Sequence, residues 1–292
     1  MTVPAQSPAI PVTPQEIIEE GIRAHEAGAA VIHVHVRDPE TGAPSADLEL
    51  FEEVLSGLRE RCDAVLQPTT GGGAGMTIEE RVRVVDALAP EMATLNAGSM
   101  NFAIFRVLQR PLDFTPWERE YLDGTRDFVF KNTFADMKYV AGTMLRTGTR
   151  PEVEIYDVGH LYNLAYLIEE GLVEQPFHMQ FVLGVMGANQ AELDQLLHML
   201  RTAERLFGDG FTWSAAGVGY PAEFELAAAS LMLGGHVRVG LEDNLRVRPR
   251  ELAGSNTELV KKAAELARLF DRELATPTQV REKLGLKGGP EL

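Results

Sequence analysis

The sequence predicts an α/β fold organised as a (β/α)8 barrel. Apolar, β-rich runs alternate with amphipathic helical patterns along the 292 residues, which reads as successive βαβ units with right-handed crossovers and a parallel sheet. Histidines, carboxylates, threonines and glycines gather near the C-terminal ends of those runs, the end at which α/β barrels carry their sites. The length suits one barrel, so residues 1–292 read as a single domain with a C-terminal helical extension.

The strand-like runs are residues 30–36, 64–68, 92–97, 152–156, 178–185, 212–217 and 237–241. Helical patterns lie between them, among them residues 14–27, 188–207, 221–233 and 255–272. The first helix has a start written into it: Thr13 as N-cap, Pro14 at the first helical position and Glu16 closing a capping box. Seven runs are one short of eight. Residues 3–6 offer a stub of a strand and residues 128–132 an additional one; the third alternative is a barrel without its first strand. No repeat and no low-complexity segment interrupts the pattern.

Composition narrows the function classes. A hydrophobic fraction of 45% supports a large core and excludes wholesale disorder. The formal net charge of −16 argues against nucleic acid or an anionic membrane as partner. A single cysteine, Cys62, leaves no internal disulfide to form and reads as structural. No signal-peptide pattern opens the sequence and no 18-residue apolar stretch suggests a membrane span, so the expectation is a cytoplasmic enzyme.

The densest chemistry sits in Val31-Ile32-His33-Val34-His35-Val36-Arg37-Asp38. Side chains two apart on a strand share a face, so His33 and His35 can aim two imidazoles at one point, and neutral imidazole ligates zinc and similar divalent ions. The plain alternative is a buried, hydrogen-bonded histidine beside an unrelated one. The last run supplies a counterpart: in Arg238-Val239-Gly240-Leu241-Glu242-Asp243-Asn244, read as a strand, Arg238, Gly240 and Glu242 share a face and Asp243 begins the turn. A carboxylate beside two histidines would leave a metal open to substrate; an Arg238–Glu242 ion pair closing the barrel is the competing reading. Other runs end in Gln67-Pro68-Thr69-Thr70-Gly71-Gly72-Gly73-Ala74-Gly75 and Thr94-Leu95-Asn96-Ala97-Gly98. Glycines let backbone N–H groups approach an anion, although neither the Walker nor the dinucleotide pattern is present. Glu152 and Glu154 share a face, and an acid pointing into a barrel must be paired, protonated or metal-bound.

Taken in order, these residues resemble the β-keto acid cleavage enzymes, typified by 3-keto-5-aminohexanoate cleavage enzyme. The likeness runs from Pro11-Val12-Thr13-Pro14 through His33-Val34-His35, Thr70-Gly71-Gly72 and Pro90-Glu91-Met92-Ala93-Thr94-Leu95-Asn96-Ala97-Gly98. It continues through Pro151-Glu152-Val153-Glu154, Gln180-Phe181-Val182-Leu183-Gly184-Val185, Gly234-Gly235-His236-Val237-Arg238 and Glu242-Asp243-Asn244 to Leu274-Ala275-Thr276-Pro277. The resemblance implies a zinc-dependent (β/α)8 barrel, a homo-oligomer such as a tetramer, that turns a β-keto acid and acetyl-CoA into acetoacetate and a new CoA thioester. It implies zinc on His33, His35 and Glu242, and an acid–base pair of Arg238 and Asp243. Thr69, Thr70 and the backbone at Gly71 and Gly72 would face the substrate carboxylate, Thr94 and Asn96 would line the pocket, and Glu154 would recognise the substrate's far end. The family usually opens with a first strand ending in a small polar turn, whereas this sequence starts almost at Pro11.

Two other readings compete. A metal-dependent hydrolase of the amidohydrolase type also opens with an H-x-H strand but needs further histidines at the tips of middle strands; His178 falls at the start of its run and His160 beyond a tip. A non-catalytic metal-binding protein would leave the polar strand ends unexplained. Arg246, Arg248 and Arg250, just past the last run, are candidates for contacting anionic CoA, with a solvated basic turn as the alternative.

Overall fold

In the computed structural model, which describes residues 2–73 and 75–288, seven parallel strands alternate with helices as the sequence pattern requires. They are β1 (Val31–Val34), β2 (Val65–Pro68), β3 (Met92–Asn96), β4 (Arg150–Ile155), β5 (Phe177–Leu183), β6 (Phe211–Gly217) and β7 (His236–Val237). Strand β1 pairs with β2, and β3, β4, β5, β6 and β7 follow one another in a five-stranded parallel sheet. Between β2 and β3 no ladder is formed; instead the Thr70 N–H donates to Thr94 Oγ1 (2.9 Å) and the Thr70 hydroxyl donates to the Thr94 carbonyl (2.6 Å). Strands β1 and β7 each have one paired edge and one that faces a cavity of about 930 Å³.

The helices are α1 (Pro14–Glu26), α2 (Leu48–Arg59), α3 (Ile78–Leu88), α4 (Pro116–Gly124), α5 (Phe134–Thr147), α6 (Val158–Glu169), α7 (Leu193–Phe207), α8 (Ala222–Met232), α9 (Asn256–Leu269) and α10 (Pro277–Leu284). The Thr13–Glu16 capping box opens α1 as expected, and the same device recurs at Thr77–Glu80, Thr115–Glu118 and Thr133–Asp136. Each satisfies N–H groups that have no partner inside the helix. One core joins the outward faces of the strands to these helices: Ile32 and Val34 meet Ile18 and Ile22 of α1 and Leu55 and Leu58 of α2 in a single buried cluster. Cys62 is half-buried and unbonded, and burial pushes its thiol up, away from the reactive thiolate.

The structure corrects the sequence reading in four places. Residues 4–6 form a 3-10 turn rather than a strand stub, because Pro4 starts a helical turn closed by Ser7 N–H on its carbonyl. Within residues 128–132 the strand is only Val129–Phe130, antiparallel to Met100–Asn101, and so lies outside the parallel set. Among the described residues no parallel strand precedes Val31. The last run, residues 237–241, is a strand only to Val237; Leu241, Glu242 and Asp243 form a turn, with Asp243 N–H and Asn244 N–H both donating to the Gly240 carbonyl (3.0 Å each). The helix expected from residue 188 starts at Leu193, since Asn189 is tied to the loop by its carbonyl (from Gly184 N–H, 2.8 Å) and its N–H (to Tyr156 O, 3.1 Å).

The barrel interior carries a polar layer. His178 lies at the start of β5, its Nδ1 2.8 Å from Thr212 Oγ1, its Nε2 3.2 Å from Ser214 Oγ and 3.5 Å from Glu152 Oε2. Burial holds its imidazole down at about 3, so it stays neutral while the unfolded chain protonates near 6.5. Below pH 6.5 the unfolded state therefore binds the extra proton, and native stability is lost as pH falls. A His178→Gln variant is expected to gain about 1 kcal/mol on the parent between pH 6.5 and pH 5.5, read by urea unfolding at those two values. A difference that does not change with pH would show that His178 is not buried neutral.

Candidate active site

Alternation along β1 decides where the histidines go. Ile32, Val34 and Val36 are buried in the outer core, whereas His33 and His35 turn to the barrel interior and the cavity. Their Nε2 atoms lie 3.0 Å apart with the rings edge to face. Glu242 comes from the turn after β7, across the opening from β1, with Oε1 3.0 Å from His35 Nε2 and Oε2 3.5 Å from His33 Nε2. These three form a group of possible ligand atoms all within 4.8 Å of one another.

The donor set fits a divalent cation. Burial, with Arg238 adding to it, holds His33 down at about 3 and hence neutral, as a metal ligand must be. Burial opposes ionisation of Glu242, but His35 and Arg238 outweigh it and hold the carboxyl well below the ordinary range. The Nε2 atoms of two imidazoles and a carboxylate meeting at one point form a three-ligand arrangement suited to zinc. His33 sits beside Gln67 in the β1–β2 register, and the Gln67 Nε2 is buried without a partner.

Arg238 organises the acids beside this cluster. Its Nη1 donates to Glu154 Oε1 (3.3 Å), Nη2 to Glu242 Oε2 (2.8 Å), and Nε and Nη2 to the two oxygens of Asp243 (2.8 and 3.2 Å). The Arg238–Glu242 ion pair thus exists alongside the convergent histidines. One cation is shared among three carboxylates, of which Glu154 and Asp243 have almost enclosed side chains and Glu242 a partly exposed one. Burial pushes Glu154 up to about 7 and raises Asp243 as well, Arg238 working against both shifts. Tyr156, at the tip of β4, adds a donor from its hydroxyl to Glu154 Oε2 (3.3 Å).

The remaining candidates follow the C-terminal ends of β2 and β3. Thr69 N–H donates to the Val34 carbonyl (3.0 Å), which puts the start of the glycine loop beside the two histidines. Thr69 Oγ1 accepts from Gly71 N–H (2.8 Å), and the hydroxyls of Thr70 and Thr94 are engaged with each other's backbone. Ala74 lies outside the described residues. A Cβ on Gly72 would come within 2.6 Å of Arg81 Cδ, so glycine lets this loop lie against α3. Asn96 is buried, and neither its Oδ1 nor its Nδ2 has a partner among the described residues. Sequence reasoning passed over two contributors: Tyr156, which directly follows the β4 run, and Arg81, whose side chain donates to Thr70 O, Lys131 O and Asn132 Oδ1 behind the glycine loop. Polar residues at strand ends are a readable signal for the first; nothing in a mid-helix arginine announces the second. His160 belongs to α6, where its Nδ1 accepts the Tyr156 N–H (3.3 Å), and with His178 at the opposite strand end neither histidine joins the cluster.

Residues 1–286 match the beta-keto acid cleavage enzyme family. The chain belongs to that family. Among characterised relatives of this β-keto acid cleavage enzyme, the 3,5-dioxohexanoate:acetyl-CoA acetone transferase of Paraburkholderia graminis is 44% identical over 286 residues, 98% of this chain and 92% of that protein. The 3-keto-5-aminohexanoate cleavage enzyme of Fusobacterium nucleatum is 38% identical, covering 96% of this chain and 92% of its own. The fold of this chain also matches a solved ternary complex of ObcA with a C4-CoA adduct and oxalate, with a TM-score of 0.78 at 22% identity over 96% of this chain and 68% of that one. No helix among the described residues of this family member is long and apolar enough to cross a membrane.

Proposed function

We propose that this family member is a zinc-dependent enzyme that converts a β-keto acid and acetyl-CoA into acetoacetate and a new acyl-CoA. The observation that carries the reading is the pairing of a His33–His35–Glu242 donor set with an Arg238-bound Asp243 that is not itself part of that set. Relatives named for acetyl-CoA-dependent conversions of β-keto acids support it. Zinc held by His33, His35 and Glu242 would supply Lewis-acid polarisation of the keto acid. Asp243 removes the proton from the carbon between the keto and carboxylate groups, and its burial-raised pKa makes it a stronger base than a solvated aspartate. Arg238 fixes the direction of that carboxylate through two hydrogen bonds. Asn96 offers an unspent donor and acceptor to the substrate, Thr69 and Gly72 face its carboxylate with Thr70 and Thr94 bracing them, and Glu154 meets its far end.

The carbanion attacks the acetyl thioester carbonyl and expels CoA; CoA then attacks the original keto carbon, and the bond to the former nucleophile breaks. Acetoacetate leaves after taking the proton back from Asp243, and the original acyl group leaves as its CoA thioester.

The test combines elemental analysis with a coupled acetoacetate assay over 3,5-dioxohexanoate, 3-oxoadipate and 3-keto-5-aminohexanoate. The parent should carry about one zinc per chain, lost in His33→Ala and Glu242→Ala. Metal that is absent from the parent, or unchanged in both variants, would refute the metal assignment. Hydrolysis of amides or esters with no acetoacetate from any keto acid would favour the hydrolase.

A further inference from the structure

Two of the residues assigned to the chemistry, Glu242 and Asp243, sit in a segment that no strand ladder holds, and Arg238 stands at its edge. The last ladder bond runs from Arg238 N–H to the Ala215 carbonyl (3.3 Å), and β7 has already ended at Val237. A loop lacking such support samples many backbone states, yet the Arg238 fork requires carboxylates fixed to a fraction of an ångström.

Apart from the Gly219 N–H, which donates to the Asp243 carbonyl (2.8 Å), side chains from three helices take the place of the missing neighbour. Glu223, in the first turn of α8 and 1% exposed, receives Gly240 N–H on Oε1 (2.9 Å) and the Asn244 side-chain amide on Oε2 (2.9 Å). Asn256, the first residue of α9, receives Leu241 N–H on Oδ1 (2.9 Å). Asn256 is itself fixed by Glu20 of α1, whose Oε2 accepts both its N–H (2.9 Å) and its Nδ2 (3.1 Å). Asn244 closes the far end, donating to the Arg246 carbonyl (2.6 Å) and accepting from Arg246 N–H (2.9 Å). The two residues immediately before Glu242 therefore have their N–H groups held by Glu223 and by the Glu20–Asn256 pair. A loop that only needed solubility would leave these N–H groups to water.

We infer that Glu223 and the Glu20–Asn256 pair are positioning residues: they act as substitute strand partners for residues 240–244 and so set the geometry of the metal-ligating and basic carboxylates. The inference rests on the zinc-dependent reading for its functional half, while its structural half does not depend on metal. None of the three acids and amides touches the reacting atoms, so their removal should loosen the arrangement rather than delete a catalytic group.

The experiment measures two quantities on the full-length chain for the parent, Glu223→Leu, Asn256→Ala and Glu223→Gln. The first is backbone amide exchange in the metal-free protein. Gly240 should exchange at least ten-fold faster in Glu223→Leu and Leu241 at least ten-fold faster in Asn256→Ala, with the amides of β3 to β6 unchanged. Glu223→Gln keeps an acceptor for Gly240 and should restore most of its protection. The second is zinc affinity by chelator competition, expected to weaken about 10- to 100-fold in Glu223→Leu and Asn256→Ala. If Glu223→Leu does not fold, Asn256→Ala carries both measurements. Parent-like exchange at Gly240 and Leu241 in folded variants overturns the inference, and so does faster exchange with zinc affinity within two-fold of the parent. A parent that binds no zinc overturns the zinc reading instead, and the exchange measurements then decide on the loop support alone.

Discussion

Asp243→Asn is expected to keep its zinc and its fold while losing about 10²- to 10⁴-fold in kcat, the usual cost of removing a positioned general base. Asparagine still offers one oxygen to the Arg238 guanidinium, so the segment keeps part of its anchoring, and no metal-ligand atom is touched. The loss should fall on kcat more than on KM if, as proposed, the carboxylate acts on the proton in the chemical step. Normal zinc content with near-parent turnover would remove Asp243 from the role of base.

Arg238→Leu should produce the largest loss of stability. The substitution leaves the enclosed Glu154 and Asp243 and the partly exposed Glu242 around the space of their shared cation, with nearest contacts of 2.8–3.3 Å in the parent. Stranding buried charges in this way costs about 3–5 kcal/mol. Without Arg238, the influence that lowers Glu154 and Asp243 disappears, so both rise further. Carboxyls raised above their unfolded values stabilise the native state at low pH and lose that contribution as pH rises. The gap between parent and variant in urea unfolding of the metal-free proteins should therefore widen from pH 5 to pH 8. A gap below about 1 kcal/mol at pH 8 would mean that the acids are solvated.

The contrast between these two residues and their supports shows what a linear sequence can reveal. Period-two alternation puts His33 and His35 on one face because Ile32, Val34 and Val36 must go into the outer core, and this needs no knowledge of the rest of the fold. Glu242 could be matched to them by chemistry alone. The same alternation misled at residues 237–241, where Val237 and Val239 mimic a strand; a strand also needs a neighbour on its free edge or side chains that tie it down, and here β7 has only β6. The replacements, Glu223 and Asn256, are set by how α8 and α9 pack, a contact between distant segments that local spacing does not encode. Thr70 and Thr94 were legible as polar strand ends, but their mutual bonding across the gap between β2 and β3 was not.

The unpaired edges of β1 and β7 give the candidate metal centre a mechanical meaning. His33 and His35 stand on one bank of this opening and Glu242 follows from the other, so an ion held by all three would cross-link the first and last strands of the open ring. Such a clasp couples ring closure to metal supply: a ligand that binds only the folded form at 1,000 times its Kd adds about 4 kcal/mol to stability. Metal starvation would then loosen the seam itself, and with it the shape of the pocket, before any single catalytic group is lost.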